Sequence, residues 1–342
     1  MKFRRSLTVF AVSCAASTLL LTACSQTPGV PIEAPEMGNA EPVQSPPTAD
    51  ADGETVDFPA VDDIEITNGT IGVRADGTLR LGTLDEIRAG GGSTHELDKT
   101  CGDVTANEGV FATVCGGTVR LFTGDQEESF TPDEEVTVAA PLADGTVIAG
   151  SDETATLWVF GRDGGKQDRI TVARPSDFVL AQKDRVVRLN RFDTTIQDVQ
   201  LAKSRQGGTL RVGLGVGQAA FGEDGMVLAS DATGGQLLVY TTDEVVRLHQ
   251  SVPTDASPWA VSWDPVHKLA WVTSTAENTA TAYDISKGVP LEQRKVRTVA
   301  DAQNMVSLDD GTLLIGSASG AGLQIIPPES TGTDADNPAT DN

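Results

Sequence analysis

Residues 218–230 read QAAFGEDGMVLAS, and residues 305–316 read MVSLDDGTLLIG. Each stretch is an alternating apolar run, then an Asp-Gly pair, then a second apolar run. Asp-Gly and Asn-Gly pairs favour tight β-hairpins because both central residues of a type I′ turn need a positive φ. Seven hairpins of this kind occur between residues 63 and 316. Their turns end at Gly69, Gly109, Gly145, Asp184, Gly225, Lys268 and Gly311.

The spacing of these turns predicts a propeller. Successive turns lie 36 to 43 residues apart, and a period of about 40 residues with four short strands is typical of a propeller blade. The outer strands of six blades are predicted over residues 95–98, 128–131, 169–172, 210–213, 245–248 and 296–299. The seventh is predicted at Thr55–Phe58, where an N-terminal strand completes the last blade and leaves no free sheet edge. The sequence therefore predicts an all-β, seven-bladed propeller with four-stranded blades.

The first 23 residues have the composition of a signal peptide. Lys2, Arg4 and Arg5 precede an apolar run over residues 7–21 that is short for a membrane-spanning helix. The run ends in LTAC (residues 21–24), which resembles the lipobox of bacterial prolipoproteins. That resemblance implies that Cys24 is lipidated with fatty acids such as palmitate and becomes the new N-terminus. It implies a protein anchored to the outer face of the cell membrane. An ordinary secretory signal and an uncleaved anchor remain the alternatives.

Composition divides the rest of the chain. Residues 24–53 are rich in Pro, Ala, Glu and Thr and have almost no large apolar side chain. Such a segment cannot bury enough surface to offset its ordering entropy. We therefore predict a lipidated cysteine and flexible linker over residues 24–53, the propeller over residues 54–327, and a disordered tail over residues 328–342.

The charge of the chain limits its partners. Its formal net charge is −24, and removal of residues 1–23 would take away three positive charges and no negative ones. A strongly acidic surface disfavours nucleic acid and anionic lipid as direct partners. We expect a monomer that meets the membrane only through its lipid anchor and recognises a protein or envelope ligand that the sequence does not identify.

Two cysteines are left for a disulfide bond. Cys14 lies in the signal peptide and Cys24 in the lipobox, whereas Cys101 and Cys115 lie at equal distances from Glu108 in the turn of one predicted hairpin. Residues symmetric about such a turn face one another, close enough for a disulfide. A redox-active pair is the alternative, but no Cys-x-x-Cys spacing supports it.

One stretch carries a family resemblance. SPWAVSWDPVHKLAWVTSTAENTATAYDISKG (Ser257–Gly288) resembles the YVTN-type propeller repeat, in which a proline-led inner strand precedes a turn and two further strands. The hairpins quoted first are weaker copies of it. The chain is thereby similar to propeller lipoproteins exported by high-GC Gram-positive bacteria. The resemblance implies the architecture and little about activity, because one fold hosts many functions.

Related propellers that hold quinone cofactors or calcium place ligands where the inner strands enter the central channel. The corresponding positions here are Asp63, Asp103, Glu135, Asp177, Gln218, Trp259 and Asn304. Carboxylates in consecutive blades could bind calcium, which takes six to eight oxygen ligands. Loop ends are also rich in Asp and Asn because these side chains cap turns, and we favour that interpretation. Of the clustered tryptophans, Trp259 is predicted at the channel rim, and Trp263 and Trp271 in the core.

No catalytic signature is present. The chain has no P-loop, no Gly-x-Ser-x-Gly and no His-Glu-x-x-His, and its three histidines have no metal-ligand spacing. Residues 215–220 (GVGQAA) match a dinucleotide loop, but a hairpin follows in place of the helix that must hold the pyrophosphate. We therefore predict a non-catalytic binding or scaffold propeller with no cofactor. The alternative is a metal or solute carrier, or a cation-dependent enzyme, that uses the acidic channel mouth.

Overall fold

Twenty-eight β-strands form seven four-stranded antiparallel sheets in this computed structural model, which describes residues 36–47 and 50–328. The prediction of an all-β, seven-bladed propeller is confirmed. The predicted signal peptide, Cys24 and residues 329–342 of the predicted tail lie outside the described residues.

The strands are numbered in chain order, from the innermost strand of each blade outward. Blade 1 contains β2 (Val61–Thr67), β3 (Thr70–Ala75), β4 (Thr78–Gly82) and β5 (Ser93–Glu96). Blade 2 contains β6 (Thr105–Asn107), β7 (Val110–Cys115), β8 (Thr118–Thr123) and β9 (Gln126–Phe130). Blade 3 contains β10 (Val138–Pro141), β11 (Val147–Gly150), β12 (Thr156–Phe160) and β13 (Lys166–Thr171). Blade 4 contains β14 (Phe178–Gln182), β15 (Arg185–Asn190), β16 (Thr195–Gln200) and β17 (Arg205–Arg211).

The last three blades follow the same order. Blade 5 contains β18 (Val216–Phe221), β19 (Met226–Asp231), β20 (Gln236–Thr241) and β21 (Arg247–Pro253). Blade 6 contains β22 (Pro258–Asp264), β23 (Leu269–Ser274), β24 (Thr279–Asp284) and β25 (Leu291–Arg297). Blade 7 contains β26 (Ala302–Ser307), β27 (Leu313–Ser317), β28 (Leu323–Ile326) and β1 (Glu54–Val56). The short helix α1 (Leu84–Arg88) joins β4 to β5, and 3₁₀ turns occupy Leu201–Lys203 and Glu223–Gly225.

The first hairpin of each blade depends on turn residues that accept a positive φ. Asn68 and Gly69 have φ values of 48° and 73°, and Glu108 and Gly109 have values of 49° and 82°. These values are close to those of a type I′ turn, whose twist matches that of the two strands it joins. The local sequence therefore specifies the connection between the two innermost strands of these blades.

The ring closes in blade 7 through residues from both ends of the chain. Glu54, Thr55 and Val56 pair antiparallel with Ile325, Gln324 and Leu323. The strand begins one residue before the predicted Thr55–Phe58 segment and ends two residues before its end. The side chain of Gln324 also donates hydrogen bonds to the carbonyls of residues 52 and 297, which join the N-terminal segment to blade 6.

Seven apolar clusters hold the blades together, one at each junction between neighbours. The cluster between blades 7 and 1 contains Val61 and Ile71 from one side and Leu314 and Leu323 from the other, all nearly inaccessible to solvent. Burial of such side chains contributes roughly 1.5–3 kcal/mol each. Because blade 7 is built partly from the N-terminal strand, this last junction depends on both ends of the propeller.

The predicted disulfide bond is confirmed. Cys101 and Cys115 are joined, and they pair as an isolated antiparallel bridge between the segment before β6 and the last residue of β7. Cys101 is buried in the apolar cluster between blades 1 and 2. The bond therefore ties the entry of blade 2 to its second strand.

Several outer strands do not lie where the sequence placed them. In blade 5 the predicted window was 245–248, but β21 runs over Arg247–Pro253. In blade 6 it was 296–299, but β25 runs over Leu291–Arg297. The two windows include the buried Val246 and Val299, which lie just outside the strands.

The N-terminal linker differs from the predicted spacer in the part that is described. Residues 36–47 are irregular in conformation, but they form hydrogen bonds with loops of blades 4 to 7. We name this segment the strap. Within the described residues no helix has the length and hydropathy to cross a membrane.

Candidate functional site

The seven inner strands surround a central channel with a cavity of about 320 Å³. We name the end where the inner strands begin the upper mouth, and the end where they turn into the second strands the lower mouth. The upper face carries the loops that lead into the inner strands and those between the second and third strands. Asp63, Asp103 and Asp177 lie at the upper mouth, and Asn68, Glu108 and Gln182 at the lower mouth.

Four of the seven predicted mouth residues line the channel: Asp63, Asp103, Asp177 and Gln218. The other three do not. Glu135 is exposed on the loop before β10. Asn304 is buried, and its amide donates a 3.0 Å hydrogen bond to the carbonyl of Val61, so it joins blade 7 to blade 1.

The third exception, Trp259, corrects the interpretation of the tryptophans. Strand β22 changes register between Pro258 and Val261 when it pairs with β23. Such a bulge reverses the alternation of side chains that follow it. Trp259 is therefore buried beneath the Arg191 guanidinium, and Trp263, which was predicted in the core, lines the channel. Trp271 is buried as predicted.

A carboxylate that the sequence analysis missed lies next to the predicted ones. Glu65 follows Asp63 by two residues on β2, so both side chains point to the same face of the strand and line the channel. Asp63 Oδ2 accepts a 2.6 Å hydrogen bond from the amide of Val104 in the neighbouring blade. The alternation of acidic and apolar residues in DIEIT (residues 63–67) places Glu65 on the same face of the strand as Asp63. Only the closed ring of blades shows that this face lines the channel.

The enclosure of the channel changes the protonation of these groups. Burial, followed by the nearby charge of Asp103, raises the pKa of Asp63. Burial and then the charges of Asp63 and Asp103 raise the pKa of Glu65 well above its usual value. Burial also raises the pKa values of Asp103 and Asp177. The upper half of the channel therefore holds carboxyl groups that are costly to ionise unless a positive charge joins them.

Two arginines provide part of that positive charge from the rim. Arg74 lies 3.8 Å from the carboxylate of Asp62 and donates to the carbonyl of Gly102. The Arg191 guanidinium lies over the rings of Phe178 and Trp259, at 5.8 and 5.7 Å from their centres, and donates to the carbonyl of Ala40 in the strap. Both arginines are thus engaged beside the acidic groups, with no direct ion pair to Asp63 or Glu65 among the described contacts.

The lining of the channel is mixed, with large apolar side chains among polar ones. Phe178, Phe221, Trp263 and Met305 supply the large apolar side chains. Ser307 Oγ is buried and has no hydrogen-bond partner within the described part of the chain. A cavity with an acidic end, large apolar side chains in its wall and a few unsatisfied polar atoms can hold a small molecule that combines a positive group with an apolar part.

The described residues do not form a metal centre. No group of three or more His, Cys, Asp or Glu side chains in residues 36–47 and 50–328 is arranged to hold a metal ion. The carboxylates of the upper mouth come from different blades. They are not arranged to supply the six to eight close oxygens that calcium requires.

Comparisons with known proteins show the fold and no more. No family model matches the chain, and no curated protein matches it. A chain from the mitotic checkpoint complex has a TM-score of 0.65 and 13% identity, and the match covers 89% of this chain and 98% of that one. The RRP9 WD40 repeats have a TM-score of 0.64 and 11% identity, with 83% and 99% covered. Hydrazine synthase of Kuenenia stuttgartiensis has a TM-score of 0.63 and 10% identity, with 81% and 97% covered.

Proposed function

We propose that this protein is a lipid-anchored, extracytoplasmic binding propeller of the bacterial cell envelope that recognises its ligand without catalysing a reaction. The observation that carries the proposal is the channel, where burial favours the protonated form of the carboxyl groups at one end of a cavity with both polar and apolar lining. A cationic ligand lowers the cost of ionising these carboxyl groups, because its positive charge offsets the hydration that burial removes.

The shared fold supports a role in recognition. The chain has the architecture of WD40 repeats and of a component of the mitotic checkpoint complex. Propeller folds present broad loop surfaces on which partners dock. The lipobox at residues 21–24 and the likeness to exported propeller lipoproteins of high-GC Gram-positive bacteria support the location. A metal carrier or a metal-dependent enzyme is the weaker candidate, because the described carboxylates form no group suited to a metal ion.

The binding proposal predicts a pH dependence of stability. Asp63 and Glu65 ionise near their ordinary pKa values in the unfolded chain but at higher pH in the fold. The folded state then binds more protons, so these groups stabilise it fully below about pH 4, and that stability is lost as the pH rises through the folded pKa values. We expect spermidine, used as a probe cation, to raise the melting temperature at pH 8 and to have little effect at pH 5. At tenfold excess over Kd the gain is about 1.4 kcal/mol, or roughly 3–5 °C.

The matched control is the double variant Asp63→Asn, Asp103→Asn. The amide oxygen of an asparagine at position 63 can still accept the hydrogen bond from Val104, so the fold is retained. We expect this variant to lose both the spermidine effect and part of the fall in stability between pH 5 and pH 8. A spermidine shift of equal size in the variant would assign the effect to the acidic outer surface and contradict a channel site.

The location is tested separately through the lipobox cysteine. Only residues 1–24 carry membrane-directed signals, so we expect Cys24→Ala to release the protein from the membrane fraction with the propeller still folded. Fractionation and circular dichroism measure the two properties. If the variant still requires detergent for extraction, the lipid anchor is wrong, whatever the spermidine experiment shows.

A further inference from the structure

The strap, residues 36–47, is bound to the upper face of the propeller like an extended peptide. The Gly38 amide donates to the carbonyl of Leu214, and Arg191 donates to the carbonyl of Ala40. Further along, the Val43 amide donates to Ser257 Oγ at 3.0 Å, and Asn278 donates to the carbonyl of Pro46 at 2.7 Å. These contacts span blades 4 to 6.

Most of these bonds join a propeller side chain to the backbone of the strap. Arg191, Ser257, Asn278 and Asp301 each bind a strap amide or carbonyl. Such contacts hold an extended chain through its backbone, as in other modes of peptide recognition. The groove between the loops of the upper face is therefore built for backbone recognition.

Two strap side chains are recognised as well. Ala40 is buried against Gly215, where a methyl group on the glycine would come within 2.9 Å of the Ala40 Cβ. Ser45 Oγ donates to the carbonyl of Thr275 and accepts from the amide of Asp301, both at 2.7 Å. The groove thus requires a small residue and, five positions later, a serine.

The loop that receives Ala40 is shaped by a buried group of the propeller itself. Asp231 is inaccessible to solvent, and its Oδ1 accepts hydrogen bonds from the amides of Leu214, Gly215 and Gly234 at 2.8–3.0 Å. None of these bonds involves the strap. The site that receives Ala40, which we call the socket, is therefore formed by residues of blade 5, and the strap enters it.

The strap itself is a weakly buried occupant. Its two large apolar side chains, Met37 and Val43, are 45% and 54% exposed, and only Ala40 is buried. Its binding is favoured because the strap is covalently connected to β1, which starts seven residues after Pro47. The connection makes the binding intramolecular. Effective concentrations in such short tethers are in the millimolar range, so an external segment with further contacts can displace it.

We propose that the upper face of blades 4 to 7 is a binding groove for an extended segment of a partner protein, and that the strap is its occupant in the absence of that partner. The segment carries a small residue and, five residues later, a serine. The inference rests on the proposed binding function and names its partner class. It concerns the groove and needs no ligand in the channel.

The test uses the full chain purified in detergent and a fluorescent peptide with the sequence of residues 36–47, EMGNAEPVQSPP. Ala40→Arg cannot enter the socket and should free the groove. Asn39→Arg is the matched control, because the neighbouring Asn39 is exposed. We expect fluorescence anisotropy to show at least tenfold tighter peptide binding to Ala40→Arg than to the wild type or to Asn39→Arg. Trypsin should cleave at the introduced arginine faster in Ala40→Arg than in Asn39→Arg, which reports release of the strap.

Three results would overturn the proposal. The first is equal peptide binding by the wild type and the Ala40→Arg variant. The second is no binding although trypsin shows that the strap is free. The third is a concentration-dependent dimer of the wild type that Ala40→Arg abolishes, which would assign the groove to the strap of a second copy. A peptide in which Ala40 is replaced by Arg and Ser45 by Ala should not bind. The spermidine and fractionation experiments are independent of all these results.

Discussion

Deletion of residues 25–56 is expected to cause the largest loss of stability of any change considered for this protein. The deletion removes β1 and leaves the edge of β28 without a partner, although Leu323 and Ile325 of that strand are buried in the cluster between blades 7 and 1. At about 1 kcal/mol for each hydrogen bond, the lost pairing alone costs on the order of 3 kcal/mol. An open apolar edge also invites pairing with other chains. We expect a broad, less cooperative melting transition and aggregation in light scattering.

The control is deletion of residues 25–49, which removes the strap but keeps β1. It also keeps Asp52, whose carboxylate forms hydrogen bonds with Arg297 and whose backbone carbonyl accepts from Gln324. We expect this shorter deletion to lower the melting temperature modestly, because it removes mainly polar contacts on the surface. If both deletions melt alike, the ring closes by side-chain packing alone, and the pairing of β1 contributes little.

This comparison shows what sequence could and could not predict about the N-terminus. The closing strand was predicted to within two residues, because the repeat left a seventh outer strand to be found. The same reasoning assigned the strap to a flexible linker, although it is bound to the propeller. Its composition is that of a linker, and its partners, such as Ser257 and Asp301, lie more than 200 residues away. The local sequence pattern of the strap gives no indication of such distant contacts.

The residues that line the channel were also only partly predictable from the sequence. Asp63, Asp103 and Asp177 were predicted at the mouth because each lies near the start of an inner strand, and the strands point the same way. Glu65 was missed although it shares a face with Asp63. Trp259 and Trp263 exchanged places because one bulge in β22 reversed the alternation. A bulge of one residue leaves almost no signal in a sequence, yet it decides which side chain lines the channel.

Outer strands were the least predictable elements. Strands β21 and β25 are mostly exposed, and each has only one buried residue, Gln250 in β21 and Val296 in β25. The hydrophobic alternation that locates an inner hairpin is therefore absent there. Val246 and Val299 belong to adjoining loops, so the predicted windows that include them are displaced along the chain.

Replacement of both Cys101 and Cys115 by serine is the second change with a large expected effect. The disulfide closes a loop of about 15 residues, for which the chain-entropy model gives roughly 3 kcal/mol of stability. Cys101 is also buried between blades 1 and 2, so a serine hydroxyl there adds a desolvation cost. We expect a clear fall in the melting temperature, with the native circular dichroism spectrum unchanged because no strand depends on the bond for its pairing.

Reduction supplies the control for the cysteine experiment. Dithiothreitol should lower the melting temperature of the wild type toward that of the double variant, and it should leave the variant unchanged. Any excess loss in the variant over the reduced wild type measures the cost of the buried hydroxyl at residue 101. If the wild type does not respond to a reductant that alkylation and mass spectrometry show to have opened the bond, the disulfide contributes nothing. The hairpin of β6 and β7, with its Asn107–Gly109 turn, would then hold blade 2 together without it.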